Sequence, residues 1–150
     1  RYGNIESWLV SPSYPFDIKG KIAEQNYPPQ EVPWAELPQW AAREGWSVAH
    51  PNGFGLINIK HINPEEERIA YAVGTFDADG GAAVLGFRSD DGCEVWLNGE
   101  KVHSIDAFRG INHPWEEAPV TLRNGKNVLL MKVSQGTLEW EFMVRGRLAP

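Results

Sequence analysis

With one cysteine, Cys93, the chain can form no internal disulfide and no cysteine-ligated zinc site. The lone thiol is expected to be a small buried hydrophobe. Basic clusters are also lacking, and the formal net charge is −6. Nucleic-acid binding draws on lysines and arginines that displace counterions, so a nucleic-acid partner is excluded. No apolar run approaches the roughly 20 residues that a membrane-spanning helix needs. Catalytic signatures are missing as well. The histidines His50, His61, His103 and His113 make no His-Glu-x-x-His pattern, and there is neither a Gly-x-Ser-x-Gly elbow nor a phosphate loop. The acidic runs Glu65–Glu67 and Glu116–Glu117 read as solvated surface. The chain is therefore expected to be non-catalytic and to require no cofactor. It begins at Arg1 without an apolar leader, has no internal repeat and shows no second-domain boundary. These features are expected of one module spanning residues 1–150, excised from a larger exported protein.

What the chain has in quantity is aromatic side chains: seven tryptophans, six phenylalanines and four tyrosines in 150 residues. Indoles fill cores and also offer flat faces to ligands. The C-terminal two-thirds reads as strands joined by turns. Residues 68–76 and 82–87 flank the Asp- and Gly-rich stretch 77–81, which reads as a hairpin turn. Residues 93–97 and 101–103 flank Asn98-Gly99, the dipeptide suited to a type I′ turn. Residues 118–122 and 127–133 flank Asn124-Gly125, which reads as a third hairpin. A last strand over residues 139–148 places Trp140, Phe142 and Val144 on one face. Short strands at this spacing predict an all-β sandwich of jelly-roll type. The N-terminal third differs. A strand is expected over residues 5–10, and from there to about Glu44 the chain is rich in proline and aromatics, with one helical turn between Trp34 and Trp40. Strands resume at residues 46–49 and 55–60. So long a connection is often functional.

Three stretches carry a family resemblance: Trp8-Leu-Val10 followed by Ser-Pro, the run Phe87-Arg-Ser-Asp-Asp-Gly-Cys-Glu-Val-Trp-Leu-Asn-Gly-Glu-Lys-Val-His103, and Leu122-Arg-Asn-Gly-Lys-Asn-Val-Leu-Leu-Met-Lys-Val133. They resemble the galactose-binding-domain-like and PA14-like β-sandwich modules, which are appended to secreted polysaccharide-degrading enzymes and surface proteins. The resemblance implies a jelly roll, an extracellular, cell-surface or periplasmic setting of bacterial type, and a polysaccharide or oligosaccharide partner. In PA14-like adhesins an Asp-Asp pair at the position of Asp90-Asp91 can hold a calcium ion that bridges to sugar hydroxyls, so these two residues are the candidate metal ligands. The same four residues, Ser89 to Gly92, also read as a turn whose aspartates bond the local backbone. Asp77, Asp79 and Gly80 begin like another calcium loop, but Arg88 stands where the closing glutamate is required.

A sugar presents C–H bonds on its faces and hydroxyls around its rim, so it asks for aromatic faces and planar hydrogen-bonding groups. Trp8, Trp46 and Trp140 are expected in the core. Trp34, Trp40 and Trp115 lie in loops, where binding residues concentrate. Trp115 has the most suitable neighbours: within ten residues of it stand Arg109, Asn112 and His113. The candidate carbohydrate-binding residues are accordingly Trp115, Arg109, Asn112, His113, Trp34 and Trp40. The alternative is a structural module that buries its loop tryptophans against a neighbouring domain.

Overall fold

Alternation along the apolar segments builds the sheet. In the computed structural model, which describes residues 5–148, nine strands follow in chain order: β1 (Trp8–Val10), β2 (Tyr14–Pro15), β3 (Ser47–Ala49), β4 (Leu56–Asn58), β5 (Arg68–Asp90), β6 (Cys93–Leu97), β7 (Glu100–Ile105), β8 (Glu116–Gln135) and β9 (Glu141–Leu148). Every pairing is antiparallel. The main path runs β3-β1-β5-β8-β6-β7, and β9 pairs with β5 and β4. The all-β sandwich expected from the sequence is the fold observed.

Two of the expected hairpins are absent, and their absence explains the architecture. β5 and β8 form one ladder from Arg68↔Gln135 to Phe87↔Glu116. The stretches read as separate turns, 77–81 and Asn124-Gly125, face each other across it, as Asp79↔Asn124 and Gly81↔Leu122. Gly80, Gly81 and Gly125 adopt φ of 86°, 98° and 96°, a region that costs a side chain. The ribbon turns over there. Before the bend β5 points Ala70, Ala72 and Ala78 into the core, and after it Ala83, Leu85 and Phe87. β8 changes in the same way, from Ala118, Val120 and Leu122 to Leu129, Met131 and Val133. The two halves of one ladder therefore lie on either side of a shared core with Trp8, Trp140 and Phe142. Buried Asn127 braces the bend: its carboxamide oxygen accepts from the Arg123 amide and the Asn98 side chain, and its nitrogen donates to the Arg123 and Gly125 carbonyls.

Asn98-Gly99 is a hairpin turn as expected, with both residues at positive φ between β6 and β7. The N-terminal crossover lies over the outer face of the first half-sheet. There Phe16, Ile22, Leu37, Ala41 and Trp46 pack on Ile69, Tyr71, Val73, Val128 and Leu130. This second core is why β5 is apolar on both faces near its start. The helical stretch is longer than expected: α1 covers Leu37–Arg43. Pro38 suits its first turn, and its C-terminus is closed when Gly45, at φ 76°, and Trp46 donate to the Ala42 and Ala41 carbonyls.

Candidate functional site

At one end of the sandwich, three segments meet: Ser89–Gly92 at the close of β5, the loop 106–115, and the turn 136–140. Asp91 ties them together. Its Oδ1 accepts the Arg109 amide at 2.9 Å, its Oδ2 accepts the Gly136 amide at 2.8 Å, and its own amide donates to the Ser134 carbonyl. The Asp90–Asp91 peptide bond is cis. Gly92 leaves no room for a side chain, since a Cβ there would stand 2.5 Å from the Ile105 carbonyl oxygen.

Asp90 and Asp91 are both buried, 6% and 5% exposed, and neither forms an ion pair among the described residues. Burial, then the adjoining Asp91 and the charges of Glu141 and Glu139, pushes the Asp90 carboxyl up to about 8. Glu141, facing Asp90 across the ladder, is raised by burial and by Glu139. This end of the molecule thus gathers carboxyls that resist ionising together. Among the described residues no three His, Cys, Asp or Glu side chains are grouped so as to hold a metal ion. A cation at the aspartate pair would therefore complete its shell with other oxygens.

The sequence-derived candidates divide between the two outer faces. Arg109 is fully engaged. It donates from Nε to the Ser89 carbonyl at 3.1 Å, from Nη2 to Ser89 Oγ at 2.9 Å, and through both terminal nitrogens to Glu116 at 2.5 and 2.9 Å. Its guanidinium fastens the loop to the sheet instead of reaching outward. Burial would raise Glu116, but Arg109 and His103 outweigh it and hold the carboxyl low. His113 is also turned inward. Its Nδ1 lies 2.7 Å from the Pro114 carbonyl and so carries the proton when the ring is neutral, leaving Nε2 to accept the Ser89 amide at 3.1 Å. Asn112 is exposed and makes no hydrogen bond among the described residues. Trp115 lies on the outer face of the second half-sheet, above Gly86, with the Arg145 and Arg88 guanidiniums 4.3 and 4.7 Å from its ring.

Trp34 and Trp40 are not brought near Trp115. They belong to the layer over the first half-sheet, on the opposite side of the core. Trp34 rests against Gly99, where a Cβ would stand 2.7 Å from its ring, and Arg123 lies 4.8 Å over it. Trp40 packs edge-on to Trp46 at 5.7 Å. Sequence reasoning missed Phe108 and Leu138, 65% and 69% exposed on the two loops that flank Asp91. It also missed the acidic partners Glu139 and Glu141. An apolar residue inside an otherwise polar loop was the available signal for Phe108.

No family model matches the chain, and no curated protein does. Solved structures do match. A β-glucosidase from Kluyveromyces marxianus aligns over 95% of this chain at 11% identity and TM-score 0.55, although the match covers only 14% of the β-glucosidase chain. The PA14 domain of the antifreeze protein MpAFP aligns over 99% of this chain and 83% of its own, at 12% identity and TM-score 0.52. A PA14 sugar-binding domain from an RTX adhesin aligns over 97% of this chain and 91% of its own, at 13% identity and TM-score 0.48.

Proposed function

We propose, for a chain that has the PA14 fold, that it is a non-catalytic carbohydrate-binding module of an exported polysaccharide-active protein. Its proposed site is the end of the sandwich around Asp90 and Asp91. The observation that carries the reading is the pair itself: two buried carboxyls without an ionic partner, at the junction of three loops. Asp90 keeps its proton up to about pH 8 in the absence of a cation. Ionised, the buried pair would need a counter-charge, and a calcium ion bound by six to eight oxygens would displace that proton and supply it. Asp90 and Asp91 are the residues proposed to hold that ion. Bound there, calcium would offer its open positions to sugar hydroxyls. Asn112 and Trp115 supply an exposed amide and an indole at the flank, and Phe108 and Leu138 supply apolar edges for the C–H faces of a sugar. Arg109 and His113 act from behind by holding the loop in place.

Affinity electrophoresis of the chain against neutral and acidic polysaccharides, with calcium and with chelator, tests the reading. Retardation by at least one glycan that is lost with chelator and in Asp90→Asn is expected. No retardation by any of them would overturn it and leave the structural alternative, with Phe108 and Leu138 covered by a neighbouring domain.

The titration of Asp90 gives an independent check. Its folded-state pKa, about 8, lies above the ordinary carboxylate value near 4. The folded protein thus holds a proton that the unfolded chain has lost, and this contribution to stability disappears as pH rises from about 4 to about 8. In chelator, the melting temperature is expected to fall across that window, and Asp90→Asn to flatten the fall. Added calcium should raise the melting temperature more at pH 8 than at pH 5. Equal shifts at the two pH values, or none at pH 8, would count against the proposed calcium seat.

A further inference from the structure

The outer face of the second half-sheet carries an arrangement that the aspartate pair does not explain. The register places Arg88, Arg145 and Arg147 on this face, with Glu117, Asp90 and Glu141 as its acids. Glu117 is shared: Arg147 donates to it at 3.2 and 3.3 Å, and Arg145 stands 3.9 Å away. Asp90 follows Arg88 by two residues on the same strand face, yet the two form no ion pair. The Arg88 guanidinium turns instead to the ring of Trp115.

Arg88 and Arg145 are therefore alike in an unusual way. Both are held by one indole, and neither donates a hydrogen bond to the protein among the described residues; exposed Arg43 donates none either and has no ring beside it, whereas Arg68, Arg109, Arg123 and Arg147 all donate. Arg88 is half-buried, and its Nε is covered without an acceptor. Gly86 makes the stack possible, since a Cβ there would come within 3.3 Å of Trp115 and 3.2 Å of Arg145. Contact with the indole leaves the terminal N–H groups of a guanidinium, which can grip a carboxylate bidentately. Two such guanidiniums fixed beside an indole are pre-ordered, so less side-chain freedom is lost when an anion arrives.

We infer that the glycan carries a carboxylate, a uronic acid unit whose charge is received by Arg88 and Arg145 and whose ring lies against Trp115. This rests on the carbohydrate-binding reading above and names the class of sugar. A polyanion of high charge density fits poorly, because the whole chain carries −6 and the three arginines of this face stand among as many acids.

The test is calorimetric titration of the chain with oligogalacturonate, with its methyl ester, and with a sulfated dextran oligomer. The acid is expected to bind about tenfold more tightly than the ester, and Arg145→Lys and Arg88→Met are each expected to remove most of that difference. Arg145→Lys keeps the charge and loses the fork, so the loss reports geometry. Arg147→Gln, whose guanidinium is already committed to Glu117, should leave the preference within about twofold. Equal binding of acid and ester, or a preference unmoved by Arg145→Lys, overturns the inference, as does tighter binding of the sulfated oligomer. If neutral glycans still bind in calcium, the carbohydrate reading survives that failure. If no glycan binds, both fall.

Discussion

Glu94→Gln is expected to destabilise the protein by about 3–5 kcal/mol, the cost of breaking a buried ion pair from one side. The Glu94 and Lys132 side chains are both 0% exposed and meet at 3.2 Å on neighbouring strands. Burial would raise Glu94, but Lys101, Ser104 and Lys132 together hold it low: Lys101 Nζ donates at 2.7 Å and Ser104 Oγ at 2.9 Å. Among the described residues, Lys132 has no second anion in hydrogen-bond reach. Its other acceptors are the Ile22 carbonyl at 2.7 Å and the Asn26 side chain at 3.1 Å, both on the N-terminal crossover. Burial already lowers Lys132, with Lys101 adding to it, and Glu94 is the chief group opposing the shift, ahead of Asp106. Without that carboxylate the ammonium must lose its proton or the crossover must lift. The deficit of Glu94→Gln should therefore shrink as pH rises, because the folded state then sheds a proton that the unfolded chain keeps. Glu94→Met combined with Lys132→Met should recover most of the loss, since a packed apolar pair needs no counter-charge. Lys101→Met, which removes a half-exposed partner, should cost about 1 kcal/mol or less. Urea midpoints at constant slope measure all three variants against the parent. A loss under about 1 kcal/mol for Glu94→Gln would mean that the pair is not sealed from water.

That network also shows what local pattern could and could not reveal. Trp8, Trp140 and Phe142 were placed in the core by alternation alone, because a period of two says which face a side chain takes. Asn98-Gly99 was legible because both of its backbone angles are set by the dipeptide itself. Asp79-Gly80 and Asn124-Gly125 use the same chemistry for a different end: their left-handed glycines bend a pair of long strands instead of reversing either one. Nothing within five residues tells these uses apart, because the deciding fact is that they face each other across 45 residues of chain. That Lys132 and Glu94 form a buried pair was hidden for a similar reason, since the layer that buries them comes from Ile22 and Asn26. Of the candidate site, Asp90, Asp91 and the 106–115 loop were visible as polar residues of the right kind. That Arg109 and His113 would point into the protein was not, because their partners, Ser89 and Glu116, are supplied by the sheet beneath.

Asp91→Ala should combine a loss of stability with the loss of glycan binding, and the two can be separated. Two backbone amides, those of Arg109 and Gly136, depend on this carboxylate at one end of the fold. An orphaned buried donor costs roughly 1–3 kcal/mol, so truncation is expected to cost about 2–4 kcal/mol in all, the Arg109 amide being the less enclosed. Asp91→Asn retains one acceptor but turns an N–H toward the other amide, so about half of the cost should remain. Arg109 keeps its four side-chain hydrogen bonds in either variant. The loop should therefore loosen without leaving the sheet. Amide exchange gives the local readout: faster exchange at Arg109 and Gly136 is expected, with the Asn98 amide, bonded to the Val128 carbonyl at the far hairpin, unchanged. Asp90→Asn makes the necessary contrast, because Asp90 accepts from neither amide. If both variants abolish binding while only Asp91→Ala accelerates exchange, the pair works as a ligand seat in which one aspartate also carries the loops. If binding survives Asp90→Asn and is lost only when the loops loosen, the site owes its affinity to loop placement, and the proposed cation has no part in it.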